Sequence, residues 1–593
     1  MDVSSGEGSM SAVSQIRKEG CIAVLKIDEP PVNVLSAAVR QAMIEGFAML
    51  GADPAVAAIV LVCGGRTFIA GFDITEFENG FVAPPLQQMI DTIEGVSKPI
   101  VAAIHGAALG GGLETALLCS HRIAVPSASV GLPEVHIGLI PGAGGTQRLP
   151  RIVGPAMAID LLISGRSVAA AEALELGLID ALAAEGNLEQ DAVAFALRIV
   201  AAGGQVPRID DRQDLIEPFR GKPEFFNEYR RRVAKDFRGF KAPEAIVKAV
   251  EAAVELPISE GLEREQELVY ELLETREATA QRYAFFAERS AAKIPGMSPG
   301  AAQHRIRIVS IFGAGGQADS LCARFSEQGL TVSQVRPGQD FLPKCDLLVV
   351  AGMDVAAQHP ANALINAASA ETIVALADNF SALDELAATM ARPEGVIGLH
   401  FNPGEGKLVE VVRGERSEAS AVLPVMDLLK RMGKVPVLCR PSRELLAGRM
   451  RSVVRHEADV LQSKGCSVGH IRRALFEYGF PLGWLDGVKE PGDETGGPVD
   501  FKALLGSLLY PVVNEAAQML EQGHVLRASD IDMAAIHALA WPVYTGGPMF
   551  WADTIGLPTI VRGLDGFATV AGDSYRPRNL LRQLASEGKG ICS

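Results

Sequence analysis

Gly110-Gly-Gly-Leu-Glu-Thr-Ala116 decides how the first third of this chain is read. It follows an apolar run, Ile100 to Ile104, with the character of a buried strand, and it opens a stretch of helical composition, Gly111 to Cys119. Three successive glycines leave bare backbone for a ligand to lie against. The first N–H groups of a helix have no partner within it and favour developing negative charge. Glu114 falls in the first turn, where side chains lean back toward the helix start. One short segment therefore presents an amide donor and a carboxylate to the same pocket. Twenty residues on, Leu132-Pro-Glu134 precedes another glycine-rich turn, Pro141-Gly-Ala-Gly-Gly-Thr-Gln147. A capping acid or a structural turn accounts for any one of these features taken singly.

Working outward, Ile22 to Ile27, Ala58 to Cys63 and Arg122 to Val125 are further strand-like runs, with a helical stretch at Ala37 to Leu50. Strands alternating with helices predict an α/β unit over residues 1–205. Residues 206–300 change character: rich in Arg, Glu and Ala, they read as long amphipathic helices from Pro223 to Ala292, a helical linker. The Pro/Gly break Lys293-Ile-Pro-Gly-Met-Ser-Pro-Gly300 is taken as a domain boundary. A second α/β unit, residues 301–442, starts with the strand Ile306 to Phe312 and the turn Gly313-Ala-Gly-Gly-Gln-Ala318. Strand-like Leu330 to Val335, Asp346 to Val350, Thr372 to Ala377 and Val396 to Leu399 complete a small open parallel sheet of Rossmann-like type. Residues 443–593 read as an all-α domain, interrupted by the Gly/Pro-rich Gly487 to Gly497.

Composition narrows the function. Seventy-one acidic against 55 basic side chains give a net charge of −16, which repels phosphodiester backbones and anionic lipid. Neither a nucleic acid nor a membrane is an expected partner. The longest stretch without Asp, Glu, Lys or Arg, Met533 to Ala552, contains Pro542, Gly546, Gly547 and Pro548 and is no unbroken spanning helix. Eight scattered cysteines form no C-x-x-C and no zinc spacing, so reduced thiols, no metal and a cytoplasmic location are expected.

Phe68-Ile-Ala-Gly-Phe-Asp-Ile74, the Gly110 run, Glu134 and Pro141-Gly-Ala-Gly-Gly-Thr-Gln-Arg-Leu149 occur in this order and spacing. Together they resemble the crotonase (enoyl-CoA hydratase/isomerase) superfamily, over about residues 15–200. The resemblance implies a crotonase-type fold and a CoA thioester substrate. By position, the backbone N–H groups of Phe72 and Gly111 are the oxyanion donors, and Glu114 and Glu134 match the two hydratase glutamates. Hydration of a 2-trans-enoyl thioester builds an enolate, which needs fixed dipoles at its oxygen. It also needs a base for water, assigned to Glu114, and a proton donor to C2, assigned to Glu134. The same pair would serve a Δ3-Δ2 isomerisation, and hydration needs no cofactor. Where relatives carry a lysine after the oxyanion loop, this chain has Thr75, which leaves the phosphate contacts open.

Gly313, Gly315 and Ala318, set between a strand and a helix, fit a dinucleotide-binding turn. With Gly398-Leu-His-Phe-Asn-Pro403, Lys407 to Gly414, Met432 to Val437 and Gly546 to Asp553 they resemble 3-hydroxyacyl-CoA dehydrogenases. The order of parts resembles the single-chain multifunctional enzymes of β-oxidation. By that resemblance the dehydrogenase residues are Ser381, His400 and Glu410. Several parts depart from it. The acidic residue expected at the end of the second strand is replaced in Val335-Arg336-Pro337, another acidic residue is missing near Val350, and the family's asparagine falls at Gly448. Helical pieces are absent after Val335 and after Gly487, and the loop between His400 and Glu410 is short. The expectation is therefore a hydratase with a degenerate dehydrogenase half that binds NAD weakly; Arg336 leaves NADP open, since an arginine there accepts a 2′-phosphate. The alternatives are a working bifunctional hydratase and NAD(P)-dependent dehydrogenase, a non-catalytic acyl-CoA-binding or assembly protein, and a different crotonase reaction. A monomer is expected, with a thiolase as conceivable partner.

Overall fold

In the computed structural model, which describes residues 8–295, 305–339, 341–351, 368–378, 380–402, 406–481 and 500–592, the chain forms two compact units, Met1–Thr279 and Ala280–Ser593. The Gly487 to Gly497 stretch and the end of the Lys293 to Gly300 break lie outside the described residues.

The first unit is built on a seven-stranded sheet. Its core strands Ile22–Ile27, Ala58–Cys63, Ile100–Ile104 and His121–Ala124 run parallel in that order. Ala58–Cys63 and Ile100–Ile104 are buried at every position, as unbroken apolar runs require in a sheet covered on both faces. Antiparallel Gly8–Ser11 and Ser14–Glu19 close one edge and Ala181–Leu182 the other. A second sheet of three short strands, Ala107–Leu109, Ser129–Gly131 and Val168–Ala169, lies where the glycine-rich segments enter.

Three of the helices expected in the linker, Pro223–Asp236, Ala242–Glu255 and Ile258–Leu273, fall within the first unit instead. Ala242–Glu255 buries Ile246, Val247, Val250 and Val254 against the helices Gly145–Val153 and Pro155–Ser164. The boundary between units falls inside the helix Arg276–Ala291, ahead of the Pro/Gly break, because Ala284, Ala287 and Ala291 pack into the core of the second unit.

The second unit carries a sheet larger than the small parallel one expected. Seven strands run in the order Thr331–Val335, Ile308–Phe312, Leu347–Val350, Ile373–Leu376, Val396–Phe401, Leu408–Val412 and Val435–Cys439. It is parallel except at one step, where Val396–Phe401 meets Leu408–Val412 antiparallel. Residues 336–346, which lead from the second strand in sequence to the third, contain no helix among the described residues. Beyond residue 445 the described chain is helical: Leu446–Ser463, Val468–Tyr478, Phe501–Glu521, Ala528–Leu539, Pro548–Ile555, Leu557–Ala571 and Asn579–Glu587. The architecture is a crotonase-type unit followed by a Rossmann-like sheet and an all-α region. Among the described residues no helix is long and apolar enough to cross a membrane, and no cluster of ligands could hold a metal ion.

Candidate active site

In the first unit the glycine run makes the site possible. Gly110 has φ 54° and ψ −127°, a conformation closed to other residues, and a methyl group on it would come 2.7 Å from Glu134 Oε1. A methyl on Gly112 would collide with the Ile69 carbonyl oxygen. The helix Gly111–Leu118 starts there, so the Gly111 N–H is among those a helix leaves free. A methyl on Gly111 would lie 3.4 Å from the Phe72 nitrogen, which places the two expected oxyanion donors on neighbouring backbone.

Arg40, which no motif marks, holds the Phe72 loop. Fully buried, its guanidinium donates to the carbonyls of Leu35 (2.6 Å), Pro84 (2.7 Å) and Val82, and to Glu76 Oε1 (2.9 Å). It lies 5.3 Å from the centre of the Phe72 ring. Leu35 N–H in turn donates to the Gly71 carbonyl at 2.9 Å, next to Phe72.

The two glutamates meet in this pocket with unequal company. Glu114, 3 % exposed, accepts the N–H groups of Ala143 (2.7 Å) and Gly145 (2.9 Å) on Oε1. Burial pushes its carboxyl up, while those two N–H groups and the Arg148 charge pull it back. Glu134 opens a 3-10 turn, Glu134–Ile137, and its buried Oε2 has no hydrogen-bond partner among the described residues. Burial raises it well above the ordinary carboxylate range, and the nearby Glu114 and Glu265 add to the rise. Burial thus raises Glu134 further than Glu114, an order that suits a proton donor set beside a base.

Glu265, also unanticipated, belongs to the supposed linker. From the helix Ile258–Leu273 it reaches the turn that holds Glu114, accepting Gly144 N–H (2.6 Å), Thr146 N–H (2.9 Å) and the Thr146 hydroxyl (2.5 Å). No motif marks it; five glutamates occur from Ser259 to Glu271, and only packing tells which is buried.

In the second unit, Gly313 ends the first strand and Gly315 caps the helix Gly316–Ser326. A methyl on Gly313 would stand 2.6 Å from the Ala351 carbonyl oxygen, whereas the space at Gly315 is open. Ala318 is fully buried, letting the helix lie close to the sheet. Arg336 follows the last residue of the second strand and is exposed. Beside the same helix lies a cavity of about 830 Å³, lined by Gln317, Arg324, Ser381, His400, Asn402 and Arg443. Ser381 and His400 thus share one pocket. Glu410 pairs with His400 across the antiparallel strands but is completely buried, its carboxylate taken by Asn402 Nδ2 (3.0 Å) and Ala447 N–H (3.3 Å). Burial, and then the Arg451 charge, lower the pKa of His400; burial raises that of Glu410. Gly448 stands in the helix Leu446–Ser463 with its nearest neighbour, Glu444 Cβ, 3.7 Å from where a Cβ would be.

Comparison with known proteins matches three families in chain order. Residues 17–208 match enoyl-CoA hydratase/isomerase, 349–442 the NAD binding domain of 3-hydroxyacyl-CoA dehydrogenase, and 505–590 its C-terminal domain. The peroxisomal bifunctional enzyme of Danio rerio is 30 % identical, with 96 % of each chain covered. The chain belongs to the multifunctional β-oxidation enzymes. The fatty acid oxidation complex subunit alpha of Shewanella frigidimarina (strain NCIMB 400) is 28 % identical over 96 % of this chain and 98 % of its own. Among solved structures, the carnitinyl-CoA hydratase of Mycobacterium avium is 27 % identical, covering 47 % of this chain and 96 % of its own, with a TM-score of 0.35. The alignment to the Danio enzyme runs over 696 positions, more than the 593 residues here, so this member of the family is shortened by internal gaps. The match to the NAD binding domain starts at residue 349, after the Gly313 turn.

Proposed function

We propose that the first unit hydrates 2-trans-enoyl-CoA to 3-hydroxyacyl-CoA and that the second oxidises this product with NAD. The observation that carries the first half is the convergence of two neighbouring backbone donors, Phe72 and Gly111, with the unequal pair Glu114 and Glu134. The thioester oxygen takes the two N–H groups, which meet the enolate charge as it forms; one such donor contributes about 3 to 4 kcal/mol. Glu114 orients a water and takes its proton as the oxygen attacks C3. Glu134 gives its proton to C2. Proton movement between C4 and C2 on the same pair would isomerise a 3-enoyl thioester.

Both dehydrogenase families match, and relatives align over nearly the whole chain, which supports two working activities over a degenerate second half. The residues present fit a dinucleotide. The close-packed Gly313, the open Gly315 and the start of the Gly316–Ser326 helix would hold its pyrophosphate, and the cavity at His400 would take its nicotinamide end. When bound there, NAD supplies the acceptor for the hydride at C3. His400, kept neutral by burial and the nearby Arg451, takes the proton from the 3-hydroxyl, and Ser381 on the same wall holds the substrate. The 3-ketoacyl-CoA product makes a thiolase the natural partner. Crotonyl-CoA and a longer enoyl-CoA, assayed with and without NAD+, test both halves. Loss of the enoyl absorbance reads the first and NADH formation the second. Hydration without NADH would return the second unit to a scaffold, and no hydration would refute the first assignment.

A further inference from the structure

The turn Pro141-Gly-Ala-Gly-Gly-Thr146 is held by two carboxylates that divide its N–H groups alternately. Ala143 and Gly145 donate to Glu114, while Gly144 and Thr146 donate to Glu265. The neighbouring Gln266 adds a hydrogen bond from its amide to the Gly142 carbonyl. Because alternate N–H groups of one turn go to different carboxylates, loss of either carboxylate frees the turn to rotate away from the other. Glu265 is buried completely and lies on a helix outside the residues that match the enoyl-CoA hydratase/isomerase family.

We propose that Glu265 is a positioning residue of the hydration site, clamping the turn from behind so that Ala143 and Gly145 keep Glu114 aimed at the water. This rests on the hydratase reading above. Its charge has a second effect. The charged groups facing it are Glu114, Glu134 and Arg148. Burial raises all three carboxyls; the Glu114 charge raises Glu265 further, to about 8, the Glu114 and Glu265 charges raise Glu134 further, and Arg148 opposes the rise of Glu114. Above about pH 8, where Glu265 carries its charge, removing that charge eases ionisation of Glu134. The acid then loses its proton at lower pH, so the alkaline limb of activity against pH moves down.

Steady-state hydration of crotonyl-CoA by the full chain, with Glu265→Gln and Glu265→Ala, tests this. Glu265→Ala should lower kcat about ten- to hundredfold with KM little changed, as expected when a catalytic group is misplaced and substrate affinity is untouched. Glu265→Gln should shift the alkaline limb of the kcat/KM profile to lower pH. Amide hydrogen exchange in residues 142–147 should speed up in either variant. An active wild type whose variants keep its kcat, its pH profile and its exchange rates overturns the proposal alone. A wild type with no hydration overturns the hydratase reading, and the role of Glu265 in it falls too. Should Glu265→Ala fail to fold, the near-isosteric Glu265→Gln profile decides.

Discussion

Glu114 and Glu134 are the same residue type in the same pocket, and what separates them is how many donors each receives. Glu114 has two backbone N–H groups and Glu134 Oε2 has none among the described residues. Glu114→Gln and Glu134→Gln should each reduce hydration by about 10²-fold or more, read as kcat on crotonyl-CoA with unchanged circular dichroism. An unaffected variant would remove that residue from the chemistry. Arg40 and Glu76 form a buried ion pair beside Phe72, and taking away one partner strands the other charge. Arg40→Ala should cost about 3 to 5 kcal/mol in urea unfolding and lower turnover in the folded fraction. Of these residues, the convergence of Glu114, Glu134, Phe72 and Gly111 was legible because short motifs fix their backbone. Arg40 and Glu265 were not, since an Arg or Glu on an amphipathic helix carries no local sign of being turned inward.

At the scale of elements, strands with unbroken apolar runs such as Ala58–Cys63 and Leu347–Val350 were legible from composition. Val435–Cys439 is just as apolar, and Leu408–Val412 is apolar apart from Glu410, yet their place in the sheet was hidden, because strand direction depends on which neighbour a strand meets. The crossover after Val335 has an element-level consequence for nucleotide choice. A carboxylate at that strand end normally receives the adenosine ribose, and a hydrogen bond to a charged group contributes about 1.5 to 3 kcal/mol. With Arg336 there instead, Arg336→Asp should tighten NAD+ about tenfold or more in titration calorimetry and weaken NADP+. NAD+ affinity unmoved by the change would show that Arg336 does not reach the ribose.

For the whole molecule, the two units carry their chemistry on separate sets of residues, so the activities should come apart. His400→Ala should abolish NADH formation from 3-hydroxybutyryl-CoA and leave crotonyl-CoA hydration intact, while Glu114→Gln should do the reverse. With crotonyl-CoA and NAD+ together, either variant should stop NADH. A His400→Ala enzyme that still makes NADH would place the proton acceptor elsewhere. The alternating hold on the Pro141 turn also bears on where this protein can be cut. The match to the enoyl-CoA hydratase/isomerase family ends at residue 208, and a gene fragment trimmed there would look like a complete stand-alone hydratase while lacking Glu265 and Gln266. A fragment carried on to residue 279 keeps both. Measured side by side, the shorter fragment should be the poorer catalyst even with every motif residue present: the stretch that matches the hydratase family and the working part have different borders in this chain.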